Sequence, residues 1–349
     1  MRPSLKPALR RVWRDPVTLQ IGLDPERAVI LSGLDDPAAR FVASLDGTRE
    51  RAAVVEAAPE VGLDRNTAAE LLDLLEAEGV LDDAATDTRQ LFALRADERK
   101  RLRPDLNSLS VLHKLTDGGM QALARRRAAV IHVHGAGRVG APLASLLAAA
   151  GIGKVSVSDA SLTRHADLAP GGLTADDVGA RREEGVRRAI ARAGAGTAAL
   201  TASPRELPQL AVLAPVGPLD GRLRDHLLRH SVAHLYAGIR EITGLVGPLV
   251  VPGRSSCLRC HDLHRTDRDP RWPRVAAQLA TGSGSTAACD TVLAVTVAAH
   301  AALQALAYVD GGRPSAVDGT VEIGLPDGRV RRRSWTPHPA CGCGWAQSA

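Results

Sequence analysis

Four of the five cysteines fall in two close pairs, Cys257-x-x-Cys260 and Cys341-x-Cys343, each in turn-rich sequence. Four soft thiolates supplied from two separate segments are the donor set of a tetrahedral zinc ion. A site closed by four thiolates leaves no position for a catalytic water, so the expected role is structural, pinning the C-terminal tail to the domain. A redox dithiol at Cys257 and Cys260 would leave Cys341 and Cys343 without a purpose. His261 and His264 follow the first pair closely; with four thiolates available they are surplus, and surface or supporting positions are expected. Cys289 stands alone at the head of an apolar helix and reads as a small buried hydrophobe rather than a nucleophile.

A second set of residues points to phosphate chemistry. Gly135-x-Gly137-x-x-Gly140 follows an apolar strand and opens a helix, and Asp159 closes the next strand about 20 residues further on. In such a loop Gly135 permits the tight turn, Gly137 lets backbone approach a phosphate, and Gly140 lets helix and strand pack closely. The helix N-terminus adds free N–H groups and a positive dipole end, and Asp159 is placed to accept hydrogen bonds from ribose hydroxyls. The same features also describe a scaffold of this shape that binds no nucleotide, and both readings stay open. No residue is assigned a catalytic role.

The elements that must hold these residues are legible in outline. Val17 to Leu31 reads as two short strands joined by Asp24-Pro25-Glu26-Arg27. Helical patterns follow at Asp36 to Leu45, Arg49 to Ala58 and Asn66 to Glu78, the last N-capped by Asp64. This block, residues 1–85, reads as a small α+β winged-helix domain. The polar run ADERKRLRPD sits in an expected linker, 86–107, whose charge marks a solvated face. From 108 to 349 strands alternate with helices: Ala128 to Val133, Val139 to Ala150, Lys154 to Ser158, Gly179 to Ala193, Ala198 to Leu200, Leu210 to Ala214, Leu219 to His230, Cys289 to Val309. That alternation predicts an α/β, Rossmann-like domain with a mainly parallel sheet.

Composition narrows the classes. The 349 residues are 45% hydrophobic and 24% charged, which suits a folded chain, and only 2% aromatic, which disfavours a base-stacking nucleic-acid surface. The net charge is +5, and Lys6, Lys100, Lys114 and Lys154 are the only lysines, so arginine carries the basic charge. DNA binding by the winged helix is not expected, because its third helix carries Glu70, Asp73, Glu76 and Glu78 and no cation after Asn66. No apolar run of membrane-spanning or signal length is read, and a cytoplasmic protein is expected.

Together, VIHVHGAGRVGAPLASLLAAAGIGKVSVSD, the run GPLVVPGRSSCLRC, the long helix after it and the C-terminal cysteine pair resemble the ThiF/MoeB family, bacterial relatives of ubiquitin-activating enzymes, over about Leu106 to Trp345. The segment REITGLVGPLVVPGRSSCLRCHDLHRTDRDPRWP resembles, more narrowly, leader-peptide-binding proteins of thiazole/oxazole-modified peptide pathways. The N-terminal block resembles their PqqD-like recognition element, where a peptide adds as a strand to the hairpin sheet. That resemblance implies a peptide-binding edge at Ala28, Val29, Ile30 and Leu31, beside the helix Asn66 to Glu78.

Family members that adenylate a carboxylate use ATP and Mg²⁺ through an asparagine, an arginine, a lysine and a late aspartate. Here Asp167 and Pro170 stand at the first two positions, Arg182 replaces the lysine, and VLAPV at Val212 to Val216 has no carboxylate. The resemblance therefore supports two functions. One is a leader-peptide-binding scaffold that docks a modifying enzyme such as a cyclodehydratase, as a homodimer. The alternative is an ATP-dependent adenylyltransferase acting on a carboxylate of a peptide or small protein, with Gly135, Gly137, Gly140, Asp159 and Arg182 at the nucleotide.

Overall fold

The computed structural model describes residues 1–86, 94–194, 198–201, 206–281 and 288–343. The chain divides into two compact units, Met1–Ala124 and Arg125–Ala349.

In the first unit, strands β2 (Arg11–Asp15), β3 (Thr18–Ile21) and β4 (Val29–Ser32) form an antiparallel sheet in that order, so β4 is an edge strand. Its alternation is clean: Val29 and Leu31 enter the core while Ile30 and Ser32 are exposed. Strand β1 (Pro3–Leu5) pairs with β5 (Leu81–Asp83). Three helices, α1 (Asp36–Ala43), α2 (Arg51–Glu56) and α3 (Arg65–Ala77), bury Phe41, Val42, Val54, Ala68, Leu72 and Leu75 in one cluster with Leu19, Ile21, Val29 and Leu31. The Asp64 carboxylate accepts from the Asn66 and Thr67 N–H groups, a cap contributing about 1 kcal/mol.

The region expected as a linker differs from that reading. Residues 87–93 of it lie outside the described residues, but Ala96–His113 is an 18-residue helix, α4. Its buried positions Glu98, Leu102, Leu106 and Leu109 recur at helical spacing inside a run of charges and across Pro104, so a narrow apolar stripe was hidden by its charged neighbours. The unit boundary accordingly falls after Ala124, beyond the start of helix α5 (Met120–Ala128).

The second unit is an eight-stranded sheet in the order β13-β12-β11-β10-β9-β6-β7-β8. Strands β6 (Val130–His134), β7 (Lys154–Ser158), β8 (Ala198–Thr201), β9 (Leu210–Leu213) and β10 (Ala233–Arg240) run parallel. Strands β11 (Thr243–Val250), β12 (Gly319–Gly324) and β13 (Arg329–Ser334) continue it as an antiparallel meander that the sequence reading did not contain. Helices α6 (Gly140–Ala149), α7 (Arg182–Ala193) and α11 (Thr291–Val309) pack on one face, α8 (Gly221–Arg229) on the other, and α9 (Leu258–Arg268) and α10 (Trp272–Thr281) follow β11.

Helix α11 is long and apolar enough, by length and composition, to cross a membrane. Its Leu293, Ala294, Val297, Ala298, Ala301 and Ala305 are instead buried in the sheet core, each branched side chain contributing roughly 1.5–3 kcal/mol.

Candidate functional site

The strand order reverses direction between β6 and β9: the chain moves outward through β7 and β8 on one side, then returns to β9 and β10 on the other. The crevice beyond the carboxyl ends of two such strands is where open α/β sheets bind ligands. The Gly135 to Gly140 loop and residues Ala214 to Val216 meet there. Gly135 has φ +98°, and a Cβ on it would lie 2.0 Å from the Ala214 carbonyl oxygen, so only glycine fits. A Cβ on Gly140 would lie equally close to the Gly135 oxygen, which is the close packing of helix on loop. The space before Gly137 is taken differently: a Cβ there would meet Val216 Cγ2 at 2.4 Å.

Asp159, at the end of β7, is fully engaged. Its Oδ2 accepts from the Ala136 N–H at 2.9 Å and from Arg182 Nη1 at 3.2 Å, and its Oδ1 accepts from the Ser161 N–H at 3.0 Å. Burial by itself would raise this carboxyl; the two N–H groups and the Arg182 cation outweigh it and hold it below the ordinary carboxylate range. Arg182, the first residue of α7, turns its fork onto Asp167 with contacts of 2.8 to 3.0 Å. Arg182 and Asp167 are each only 6% exposed; one guanidinium against two carboxylates leaves one negative charge over, which the Ala136, Ser161 and Arg164 N–H groups offset. A cleft of about 740 Å³ opens alongside, lined among others by Arg164, His165, Arg182, Gly179 and Val216. Arg164 and His165 were not singled out from sequence; the placement of the 161–168 turn beside β7 brings them to the crevice, and Val216 reaches it from the end of β9.

These residues do not match a Mg²⁺-nucleotide site of the family pattern. No carboxylate stands among Ala214 to Leu219 directly after β9, Asp220 beyond them being engaged as the N-cap of α8; Asp159 is occupied by Arg182, and Val216 stands against Gly137.

The cysteines are brought together. Cys257 and Cys341 Sγ atoms are 3.5 Å apart, Cys260 and Cys343 3.4 Å, Cys257 and Cys260 3.8 Å, and all are free thiols. A tetrahedron with Zn–S bonds near 2.3 Å has edges of about 3.8 Å, so the cluster fits a metal ion with little adjustment. Burial pushes the Cys257 thiol up to about 12 and raises Cys343 as well. For Cys260 burial also acts upward, but backbone N–H groups of His338 and Cys257 reverse the direction. A divalent cation would be held by all four sulfurs as thiolates.

The two neighbouring histidines stand apart from the thiols. His261 is 2% exposed, not a surface residue; its ring stacks on Trp335 at 4.4 Å and its Nε2 lies 3.4 Å from Ser256 Oγ. His264 Nε2 donates to the Thr336 carbonyl at 2.9 Å. Cys289 is half-buried against the sheet core, its thiol raised by burial. The Cys289 carbonyl accepts from Arg138 Nη1 at 2.7 Å.

On the N-terminal sheet, Val29, Ile30 and Leu31 lie in edge strand β4. Ala28 lies before it, and its N–H already donates to the Asp24 carbonyl at 2.7 Å. The hairpin turn ends one residue later than the sequence suggested, because Asp24 closes it through Ala28.

No protein-family model and no curated protein matches this sequence. Solved structures do match in fold over nearly the whole chain. The crystal structure of E. coli MccB with ATP has a TM-score of 0.74 at 14% identity, covering 98% of this chain and 99% of that one. The structure of the microcin C7 biosynthetic enzyme MccB with N-formylated MccA has a TM-score of 0.73 at 14% identity, covering 99% and 100%. The structure of PaaA has a TM-score of 0.71 at 16% identity, covering 94% and 99%. The chain therefore shares the α/β fold of MccB and PaaA over nearly its whole length.

Proposed function

We propose that this chain binds a peptide and acts as a ThiF-type peptide-modifying enzyme, activating a carboxylate with ATP. The observation that carries this reading is the correspondence along the whole chain with MccB, a protein crystallised with ATP and with MccA, combined with a cleft lined by Arg164 and His165 at the sheet's switch point. In such a reaction a carboxylate oxygen attacks the α-phosphorus of ATP, the bond to the β-phosphate oxygen breaks, and pyrophosphate leaves with its electron pair. Arg164, His165 and Arg182 line the cleft where phosphate charge would be balanced. No step is assigned to a magnesium ion, because no carboxylate stands among Ala214 to Leu219 at the end of β9.

A second reading, a peptide-binding and partner-docking scaffold, is favoured by one observation: Arg182 closes on Asp159 and Asp167 while Val216 fills the space before Gly137. Under both readings the peptide adds along β4 through Val29, Ile30 and Leu31, within a winged-helix module of residues 1–85, and a zinc ion sits on Cys257, Cys260, Cys341 and Cys343. A homodimeric, cytoplasmic protein with a modifying enzyme as partner completes the proposal.

One assay separates the readings. Peptides encoded beside the gene are tested for binding by fluorescence anisotropy and for peptide-dependent ATP–pyrophosphate exchange. Exchange abolished by Asp159→Ala supports the enzyme. Binding without exchange supports the scaffold, and the absence of both with folded protein removes peptide recognition.

A further inference from the structure

Strand β13 is unusual among the described strands of the large sheet. It pairs only with β12, it leaves five of its six residues exposed, and its sequence is RVRRRS. Arg329, Arg331 and Arg333 stand on one face of it, opposite Gly324, Glu322 and Thr320 of β12. Arg333 is paired with Glu322 at 2.5 Å; among the described residues Arg329 and Arg331 have no ion-pair partner. On the same face, Arg265 of α9 lies 5.4 Å from the Trp335 ring and 5.1 Å from Trp272, and Arg268 lies 5.7 Å from Trp335. These ring contacts hold the guanidinium groups in place. Arg265 is paired with Asp262 at 3.2 Å, and burial, helped by the charges of Arg240 and Arg333, lowers it against that partner's pull.

We infer that β13 is a docking edge for an acidic, extended peptide segment of a partner protein, which adds as a further strand and sets its carboxylates against Arg329 and Arg331. An open edge offers unpaired N–H and C=O groups, which an incoming strand satisfies. Residues two apart on a strand are roughly 6.8 Å apart, so the arginines repeat at the spacing of carboxylates in an alternating acidic strand. Cross-strand opposite charges then fix which face of the incoming segment turns inward. This surface belongs to the other unit from β4 and does not depend on the nucleotide question.

The test uses the full chain and a labelled peptide with glutamate at every second position and threonine or valine between. Binding is expected at low salt and weaker at about 0.15 M. Arg331→Glu should weaken it about tenfold, with unchanged circular dichroism, as should Arg329→Glu. A peptide with the same composition but its glutamates in one block should bind less well, and N-methylation of alternate backbone amides on one edge should abolish binding. Equal binding of the blocked and N-methylated peptides would mean charge attraction without strand addition and would overturn the proposal. So would tighter binding of duplex DNA or anionic vesicles, or no binding at all, which would leave the arginines only as a guard against edge pairing.

Discussion

The crevice at the switch point and the cysteine cluster are both buried polar sites in the same unit, yet they are satisfied in opposite ways. In the crevice, Arg182 pairs with both Asp159 and Asp167, and the Ala136, Ser161 and Arg164 N–H groups donate to the same carboxylates. In the cluster, four thiols crowd within hydrogen-bonding range of one another with no opposite charge among them. Groups that satisfy one another form a closed structure, whereas a set of like donors is complete only when something else is bound. The thiols therefore point to a ligand more directly than the glycine loop does, although the loop has the more familiar pattern.

The largest expected effect lies at the cluster. Metal analysis of freshly purified, reduced protein should give about one zinc per chain, and chelation or Cys257→Ser should lower the melting temperature by roughly 10 °C or more. A stoichiometry near zero would erase the contrast between the two sites.

Next in size is the crevice itself. Arg182→Ala strands two buried carboxylates and should cost roughly 3–5 kcal/mol of stability by denaturant unfolding, whereas the double change Arg182→Met with Asp167→Leu should recover much of it. If ATP protects the wild type but not Asp159→Ala from thermal unfolding, Arg182 is a group that yields to nucleotide, and the closed description of the crevice fails.

The histidines of β6 sharpen the point differently: burial keeps them neutral, and His132 Nε2 has no hydrogen-bond partner among the described residues. His132 and His134 stack with centroids 4.1 Å apart, and burial, then the nearby His132 and His226, push His134 down to about 3. A histidine with a depressed folded value contributes its full share of stability above about 6.5, its unfolded value, and loses it as pH falls towards 3. Thermal melts between pH 7 and pH 5 should therefore show falling stability, and His134→Leu should flatten that slope by about 1 kcal/mol or more over the window. An unchanged slope would place the pH sensitivity elsewhere.

The smallest effect expected is at Val216. Val216→Ala clears the space before Gly137 and, because Val216 is more than half exposed, should change stability by no more than about 0.5 kcal/mol. If the crevice is shut mainly by this side chain, calorimetry should show tighter ATP binding in the variant; no change would assign the closure to Arg182.

Much of the parallel half of the fold was legible because its strands are short runs rich in valine and other β-branched or apolar residues and glycines mark where its helices begin and stop. Strand β7 falls on Lys154–Ser158 and helix α6 on Gly140–Ala149, close to where the pattern put them. The antiparallel half was not legible. Gly244, Gly247 and Pro248 interrupt β11, and β13 buries almost nothing, so it exists through its ladder with β12 and leaves no apolar signature. Helix α4 was missed for the related reason that its buried stripe is thin and its flanks are charged.

By itself the sequence determined the two cysteine pairs, the glycine loop with Asp159, and the alternation that makes an α/β sheet. Each of these is a local matter of residue type and spacing. Only tertiary structure decided that the four thiols converge, that Arg182 reaches both Asp159 and Asp167, and that Val216 stands over Gly137. These facts depend on strands distant in the chain becoming neighbours in the sheet, and spacing along a sequence does not record which strand lies beside which.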